Sequence, residues 1–254
     1  MKILNVVAEP IRKAVSQNGR KLIGLWDGYS LAGYENHYRN HISQEHKTEL
    51  TELFLPSTNK GEYLDLGCGT GNLFSAIVTR IRPSRVCAAD WSLEMLRKAE
   101  LESEKLRTYD TVFQFFQKDL SKPLDWPSGS FDGVISNLVI CYLTCGWKNP
   151  LEEMARVLKP GGYLYLGVFL NNWGFAKVLW KHAIPEFLRE PITSFHGLKY
   201  RRIISGITKE VRKNGAVFPS KEKLIASLKQ LGFRDITITP TYWGGAIALR
   251  ACLA

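Results

Sequence analysis

The 254-residue sequence lacks the motifs that mark several common classes of protein. Its five cysteines are scattered and contain no CxxC pair, so neither a zinc ribbon nor a thioredoxin-type site is expected. No HExxH motif occurs, and we expect no metal site. The GK[ST] signature of a phosphate-binding P-loop is also missing.

Long apolar runs are missing as well. The run at 163–170 is far shorter than the roughly 20 residues that a membrane-spanning helix needs. A short apolar stretch near the N-terminus stops at Glu9 and Pro10, with no small-residue cleavage site after it, so no signal peptide is predicted. These absences predict a cytoplasmic protein.

Positive charge, by contrast, is abundant. The net charge is +10, which suits an acidic substrate, an anionic membrane surface or nucleic acid, although many basic enzymes bind no polyanion. Residues 175–215 carry nine basic and three acidic side chains, interleaved with aromatic ones. This segment suggests a cap over an acceptor pocket, with peripheral contact to anionic lipid as a further possibility.

Three zones follow one another along the chain. Residues 1–60 read as mostly helical, whereas residues 61–170 alternate short apolar strands with helical patterns, as in a parallel α/β sheet. We predict an N-terminal helical lid at 1–60 and one domain at 61–254. That domain is expected to contain a helical insert at about 171–215.

A glycine loop between the first predicted strand and a helix indicates a nucleotide-like cofactor. The loop carries Gly67, Gly69 and Gly71, and glycines let a ligand approach backbone N–H groups at a helix N-terminus. Asp90 ends the next strand, 19 positions after Gly71, near the spacing at which an acid binds a ribose diol.

Further acids favour S-adenosylmethionine (SAM) over a dinucleotide. The loop reads GxGxG rather than GxGxxG. Asp65 precedes it, and a carboxylate there would repel a pyrophosphate but can accept hydrogen bonds from an ammonium group. Asp119 follows the third strand and is placed to accept from an adenine amino group. The predicted cofactor site comprises Asp65, Gly67, Gly69, Gly71, Asp90, Trp91, Asp119, Leu120 and Asn137.

These segments resemble the motifs of class I SAM-dependent methyltransferases. The matching segments are 63–71, 90–96, 119–120, 131–135 and 155–162. The resemblance implies an enzyme that binds SAM on a Rossmann-like, doubly wound, mostly parallel α/β sheet of seven strands, the last of them antiparallel. Segments 218–224, 231–233 and 244–249 resemble the tail of the ubiquinone/menaquinone C-methyltransferase family, whereas the insert after Phe169 departs from it.

The acceptor pocket is predicted at the carboxyl ends of the strands, where Asn137 and Tyr142 fall. No Asn-Pro-Pro-Tyr or Asp-Pro-Pro-Tyr sequence follows the fourth strand, which disfavours methylation of a nucleobase or a planar amide nitrogen. A general base is needed only if the attacking atom carries a proton. Candidate catalytic residues are His37, His41, Tyr142 and His196. Candidate substrate contacts are Tyr29, Tyr38, Tyr142, Trp173 and His196.

The histidines and tyrosines near the N-terminus allow two interpretations. His37 and His41 lie four residues apart and can share a helix face, as a lid over SAM with a histidine as base would require. The alternative is an aromatic helix packed on the sheet with solvated histidines.

The predicted reaction is methyl transfer from SAM to a small, largely apolar acceptor, quinone-, phenol- or polyketide-like, at carbon or oxygen. No nucleic-acid partner is expected. Two alternatives stay open: an RNA or protein methyltransferase, which the basic charge permits, and a SAM-binding protein without methyl transfer, either a pericyclase-like catalyst or a scaffold.

Overall fold

A computed structural model describes residues 6–8, 24–28, 41–56, 60–171 and 206–254. These residues form one β-sheet with helices on both faces. The strands are β1 Val6–Ala8, β2 Glu62–Leu66, β3 Arg85–Asp90, β4 Val112–Gln117, β5 Phe131–Asn137, β6 Leu158–Phe169, β7 Phe233–Thr241 and β8 Ala246–Leu253.

Helices connect most of the strands. They are α1 His41–Glu52, α2 Phe74–Ala76, α3 Leu93–Glu104, α4 Lys148–Val157 and α5 Lys221–Gln230. Helix α2 continues into a π-helical turn at Ile77–Ile81, and residues 24–28 and 206–213 are also helical. No helix within these described ranges is long and apolar enough to cross a membrane.

The strand order is β1-β4-β3-β2-β5-β6-β8-β7. Strands β1 to β6 are parallel, and β8 runs antiparallel to both of its neighbours, β6 and β7. The predicted seven-stranded sheet with an antiparallel last strand is therefore confirmed as β2 to β8. Because β2 to β5 are parallel, their carboxyl ends meet at one edge, where the crevice of such folds lies.

An eighth strand lies at the sheet edge. It is formed by residues 6–8, within the region 1–60 that the sequence predicts to be mostly helical. Strand β1 pairs with β4, with Val6 opposite Phe115 and Ala8 opposite Gln117. Branched Val6 and Val7 favour a strand, and their pairing covers an edge of β4 that would otherwise be open.

Alternating side chains of the central strands build two buried clusters on opposite faces of the sheet. In β3, Val86 and Ala88 belong to one cluster, whereas Cys87 and Ala89 belong to the other. Leu50 of α1 and Phe74 of α2 lie in the first cluster. The second includes side chains of α4 and α5. Both faces are thus covered, and the carboxyl edge is left for ligands.

Candidate functional site

The glycine loop after β2 is held against the end of β3. The backbone N–H groups of Gly67 and Cys68 both donate to the carbonyl of Ala89, at 2.7 and 3.0 Å. Gly67 has φ +73°, and a Cβ there would lie 2.3 Å from a methyl carbon of Val139. A side chain is therefore excluded at this turn by both conformation and space.

Asp90 joins the loop to the next helix. Its carboxylate accepts hydrogen bonds from the N–H groups of Gly69 and Ser92, both at 2.9 Å. Burial raises the pKa of Asp90 to about 6, although these N–H donors act in the opposite direction. The structure therefore brings Asp90 to the glycine loop, as its position at a strand end predicts.

Asp65 supplies a second, deeper carboxyl group. It is 2% exposed, and no donor among the described residues hydrogen-bonds to its carboxylate. Burial, and secondarily the negative charge of Asp90, raise the pKa of Asp65 to about 8. A cationic group brought between Asp65 and Asp90 would favour ionisation of both acids. The site is thus chemically suited to a positively charged ligand.

Two polar groups beside these acids are buried without a partner. The Thr70 hydroxyl and the Trp91 indole N–H make no hydrogen bond within the described part of the chain. Thr70 belongs to the glycine loop, and Trp91 follows Asp90 directly. Buried polar groups are normally hydrogen-bonded, so both are available to a bound ligand.

Asp119 and Leu120 follow β4, as predicted. One carboxylate oxygen of Asp119 accepts from the backbone N–H and the hydroxyl of Ser121, at 3.0 and 2.6 Å, and so closes a local turn. Leu120 is buried in the second cluster. The role of Asp119 toward adenine remains a prediction.

Aromatic side chains gather at the end of β5. Tyr142 is 9% exposed and makes edge contacts with three rings, at centroid distances of 5.6 Å to Trp26, 6.3 Å to Phe169 and 5.8 Å to Phe218. Arg212 lies over Phe218, 4.4 Å from the ring centroid. Tyr142 thus links three rings in a largely buried aromatic cluster at the end of β5.

The helical segment 24–28 lies across the same edge of the sheet. Trp26 contacts Tyr142, and the Ser92 hydroxyl donates to the carboxylate of Asp27 at 2.5 Å. The sequence placed a lid in this region but did not single out Asp27. No motif marked this residue, because its partner is 65 positions away.

His46 was missed by the sequence analysis, which considered only His37 and His41 in this region. It is 1% exposed and bonded to the side chains of Asn137 and Thr241, at 2.8 and 2.7 Å. The spacing of residues in α1 could have identified His46 as buried, because Ser43, His46 and Leu50 recur at helical intervals and are all buried.

Several predicted contacts lie outside the described residues. They are Tyr29, His37, Tyr38, Trp173 and His196. The backbone of His41 begins α1, but its side chain is not described. The roles of these six residues remain predictions.

Comparison with known proteins identifies the domain. Residues 64–166 match the family described as a methyltransferase domain. The demethylmenaquinone methyltransferase of Halalkalibacterium halodurans is 26% identical over 73% of this chain and 72% of its own length. The probable methyltransferase ltbC of Aspergillus luteorubrus is 29% identical over 52% of this chain. Phosphoethanolamine N-methyltransferase 2 of Haemonchus contortus, solved with SAM, shares the fold at TM-score 0.58 and 17% identity, over 90% of this chain and 47% of that one.

The matched region, the sheet order and the acids around the glycine loop define one class of protein. Residues 64–166 form a SAM-dependent methyltransferase domain. The chain spans 51% of the length of ltbC and even less of some other curated relatives.

Proposed function

We propose that this protein transfers a methyl group from SAM to a small, largely apolar acceptor, quinone-, phenol- or polyketide-like, at carbon or oxygen. The observation that carries the proposal is a pair of features at the carboxyl edge of the sheet. Asp65 is buried and Asp90 is half-buried beside the glycine loop, and desolvation raises the pKa of both acids. Tyr142 and the rings around it form an aromatic wall after the end of β5.

The acids and the unpartnered polar groups are proposed to hold SAM. Asp65 would accept from the ammonium group of the methionine part, Asp90 from the ribose hydroxyls and Asp119 from the adenine amino group. Support comes from the absence of any described donor to Asp65 and from the unsatisfied groups of Thr70 and Trp91. Ligand contacts would satisfy these buried groups. A buried polar group that stays unpaired costs about 1–3 kcal/mol.

The aromatic wall is proposed to hold the acceptor. Tyr142, Phe169 and Phe218 are each at most 9% exposed, and Trp26 closes over Tyr142. Such walls bind apolar rings by stacking and burial, with a few polar groups setting the orientation. The name of the demethylmenaquinone relative is consistent with a quinone-like acceptor.

Methyl transfer to a panel of compounds tests the proposal. The protein is incubated with SAM carrying an isotopically labelled methyl group and with phenols, hydroquinones, 1,3-diketones and amines. Product mass is then read by mass spectrometry. We expect a gain of one methylene unit in a hydroxylated aromatic or an enolisable compound, at carbon or oxygen.

Total RNA is used to test the alternative that the acceptor is RNA. Binding to RNA would rest on phosphate contacts and would weaken steeply between low and physiological salt. Submicromolar, salt-sensitive binding with methyl groups incorporated into RNA would overturn the proposed acceptor. Tight SAM binding with no transfer to any substrate would instead favour a SAM-binding protein without methyltransferase activity.

A further inference from the structure

A buried side-chain network ties three distant parts of the chain together beneath the crevice. His46 of α1 lies between Asn137, the last residue of β5, and Thr241, the last residue of β7. The Tyr242 ring stands over the imidazole, with ring centroids 5.2 Å apart. These neighbours are uncharged, and His46 itself is 1% exposed.

The partners determine which ring nitrogen carries the proton. The Asn137 Oδ1 atom can only accept, so the Nε2 atom of His46, 2.8 Å away, must donate. In a neutral ring Nδ1 is then an acceptor, and the Thr241 hydroxyl, 2.7 Å away, donates to it. Burial lowers the pKa of His46 to about 4, an effect that the bond to Asn137 only partly offsets, so the ring is neutral at physiological pH.

The neighbouring strand, β6, leaves room for this network. A Cβ on Gly167 of β6 would lie 2.1 Å from Oδ1 of Asn137 and 2.7 Å from Nε2 of His46. No real side chain fits at those distances. The glycine at this position is therefore explained by the hydrogen bond that passes over it.

The nitrogen of the Asn137 side-chain amide is not part of this network. Within the described ranges, its Nδ2 atom has no hydrogen-bond partner and is not among the buried unpaired atoms. Asn137 is half-buried at the carboxyl end of β5, next to the glycine loop and the aromatic wall. Two N–H donors are thus presented at the edge where ligands bind.

We propose that His46 is a positioning residue, which holds the Asn137 amide so that its Nδ2 hydrogens donate to an oxygen of the bound ligands. That oxygen belongs either to the acceptor, as a carbonyl or phenolate, or to the carboxylate of SAM. The inference rests on the proposed function and deepens it. His46 takes no proton from the acceptor, because the Nδ1 lone pair is already used by Thr241.

The tautomer of His46 tests the positioning role without any acceptor. Nitrogen-15 NMR of histidine-labelled protein at pH 7, assigned with a His46→Gln variant, should show a neutral ring protonated at Nε2. A neutral ring protonated at Nδ1 would overturn the proposal, because Asn137 would then turn its oxygen toward the crevice.

Variants test what the oriented amide binds. His46→Leu removes the donor to Asn137, whereas His46→Gln supplies an amide N–H at a similar reach. We expect His46→Leu to weaken cofactor affinity or to lower kcat/KM about ten-fold or more, because one hydrogen bond is lost. His46→Gln should recover most of this loss. Thr51→Ala, a buried hydroxyl on the same helix that bonds to the Thr48 carbonyl, is the matched control.

Two measurements distinguish an oxygen of the acceptor from the carboxylate of SAM as the group that the amide binds. A loss of S-adenosylhomocysteine affinity in Asn137→Ala, measured by calorimetry, assigns the amide to the cofactor carboxylate. A raised KM or a lowered kcat with a methylated panel compound, at unchanged cofactor affinity, assigns it to the acceptor. The proposal is wrong if neither quantity changes in folded Asn137→Ala.

Failure of the proposed function can be distinguished from failure of the positioning role of His46. If no compound is methylated, the tautomer and the response of the labelled Asn137 amide signals to S-adenosylhomocysteine and panel compounds still decide the role of His46. Amide signals that stay unmoved by both would overturn it.

Discussion

The charge of Asp65 depends strongly on its surroundings. It lies at the base of the glycine loop, is almost fully buried and has Asp90 as its charged neighbour. A carboxyl group in such a place stays protonated until a cation arrives. Binding of SAM should therefore be coupled to proton release.

This coupling can be measured by calorimetry at pH 6.5. At that pH Asp65, with a pKa of about 8, is mostly protonated without ligand, whereas an α-amino group, with a pKa of roughly 7.7, is charged. Binding should release close to one proton, seen as different heats in two buffers of different ionisation enthalpy, and SAM affinity should rise with pH. Asp65→Asn should remove most of the dependence on buffer, leaving only the smaller proton release from Asp90, whose pKa is about 6. Equal heats in both buffers for the wild type would contradict the assignment.

Asp90 yields a second prediction for a single residue. Loss of a charge-assisted hydrogen bond costs about 1.5–3 kcal/mol, so Asp90→Ala should weaken SAM binding by about ten-fold or more. The same change removes the bonds to Gly69 and Ser92, so thermal unfolding must confirm a folded variant. Asp110→Ala is the matched control, because its carboxylate is 95% exposed and belongs to a long ion pair with Lys60. Unchanged affinity in folded Asp90→Ala would refute the ribose role.

At the scale of elements, two short segments lie against the carboxyl edge of the sheet. Segment 24–28 is anchored through Asp27 to Ser92, which caps α3 by accepting from the N–H of Met95 at 3.1 Å. Helix 206–213 buries Ile207 and Val211. Both segments contact the aromatic cluster around Tyr142, through Trp26 and through Arg212 over Phe218. They lie in the two regions that were predicted to cover the site.

These segments should become more protected when ligand binds. Hydrogen exchange with and without S-adenosylhomocysteine should show slower exchange in peptides covering 24–28 and 206–213, because lids that exclude water close on the bound state. A peptide covering 97–110, at the far end of α3, serves as the control and should not change. The same exchange rate in all three peptides would count against a lid.

At the scale of the whole molecule, the buried network of His46 makes folding stability depend on pH. The pKa of His46 is about 4 in the folded protein and 6.5 ordinarily, so in the interval between them the unfolded chain binds more protons. Stability is retained above pH 6.5 and is lost as the pH falls toward 4. At about 1.4 kcal/mol per pH unit, the loss is up to roughly 3 kcal/mol.

The comparison with His46→Leu isolates this contribution. The raised pKa values of Asp65 and Asp90 act in the opposite direction but are present in both proteins. Urea unfolding at pH 7.5 and at pH 4.5 should show the stability advantage of the wild type shrinking at the lower pH. An equal advantage at both pH values would show that His46 does not titrate as its burial implies.

Local patterns in the sequence were enough for the sheet and the cofactor loop. Strands β2 to β8, the glycine loop and the acids at 65 and 90 follow from apolar runs, glycine spacing and strand ends, all of which are read from short stretches of sequence. Ser92 and Ser220 cap helices α3 and α5, since each side chain accepts from the backbone N–H three residues on. Such features depend on neighbours in the chain.

The contacts that complete the site join residues far apart in sequence, and only the tertiary structure decided them. Asp27 meets Ser92 across 65 positions, and His46 meets Thr241 across 195. Whether a histidine is a solvated base or a buried, neutral positioning residue depends on desolvation, which folding alone imposes. The pairing of β1 with β4 is equally non-local. The sequence by itself therefore determined the fold class and the cofactor loop, whereas tertiary packing decided which distant side chains meet beside that loop and how deeply each is buried.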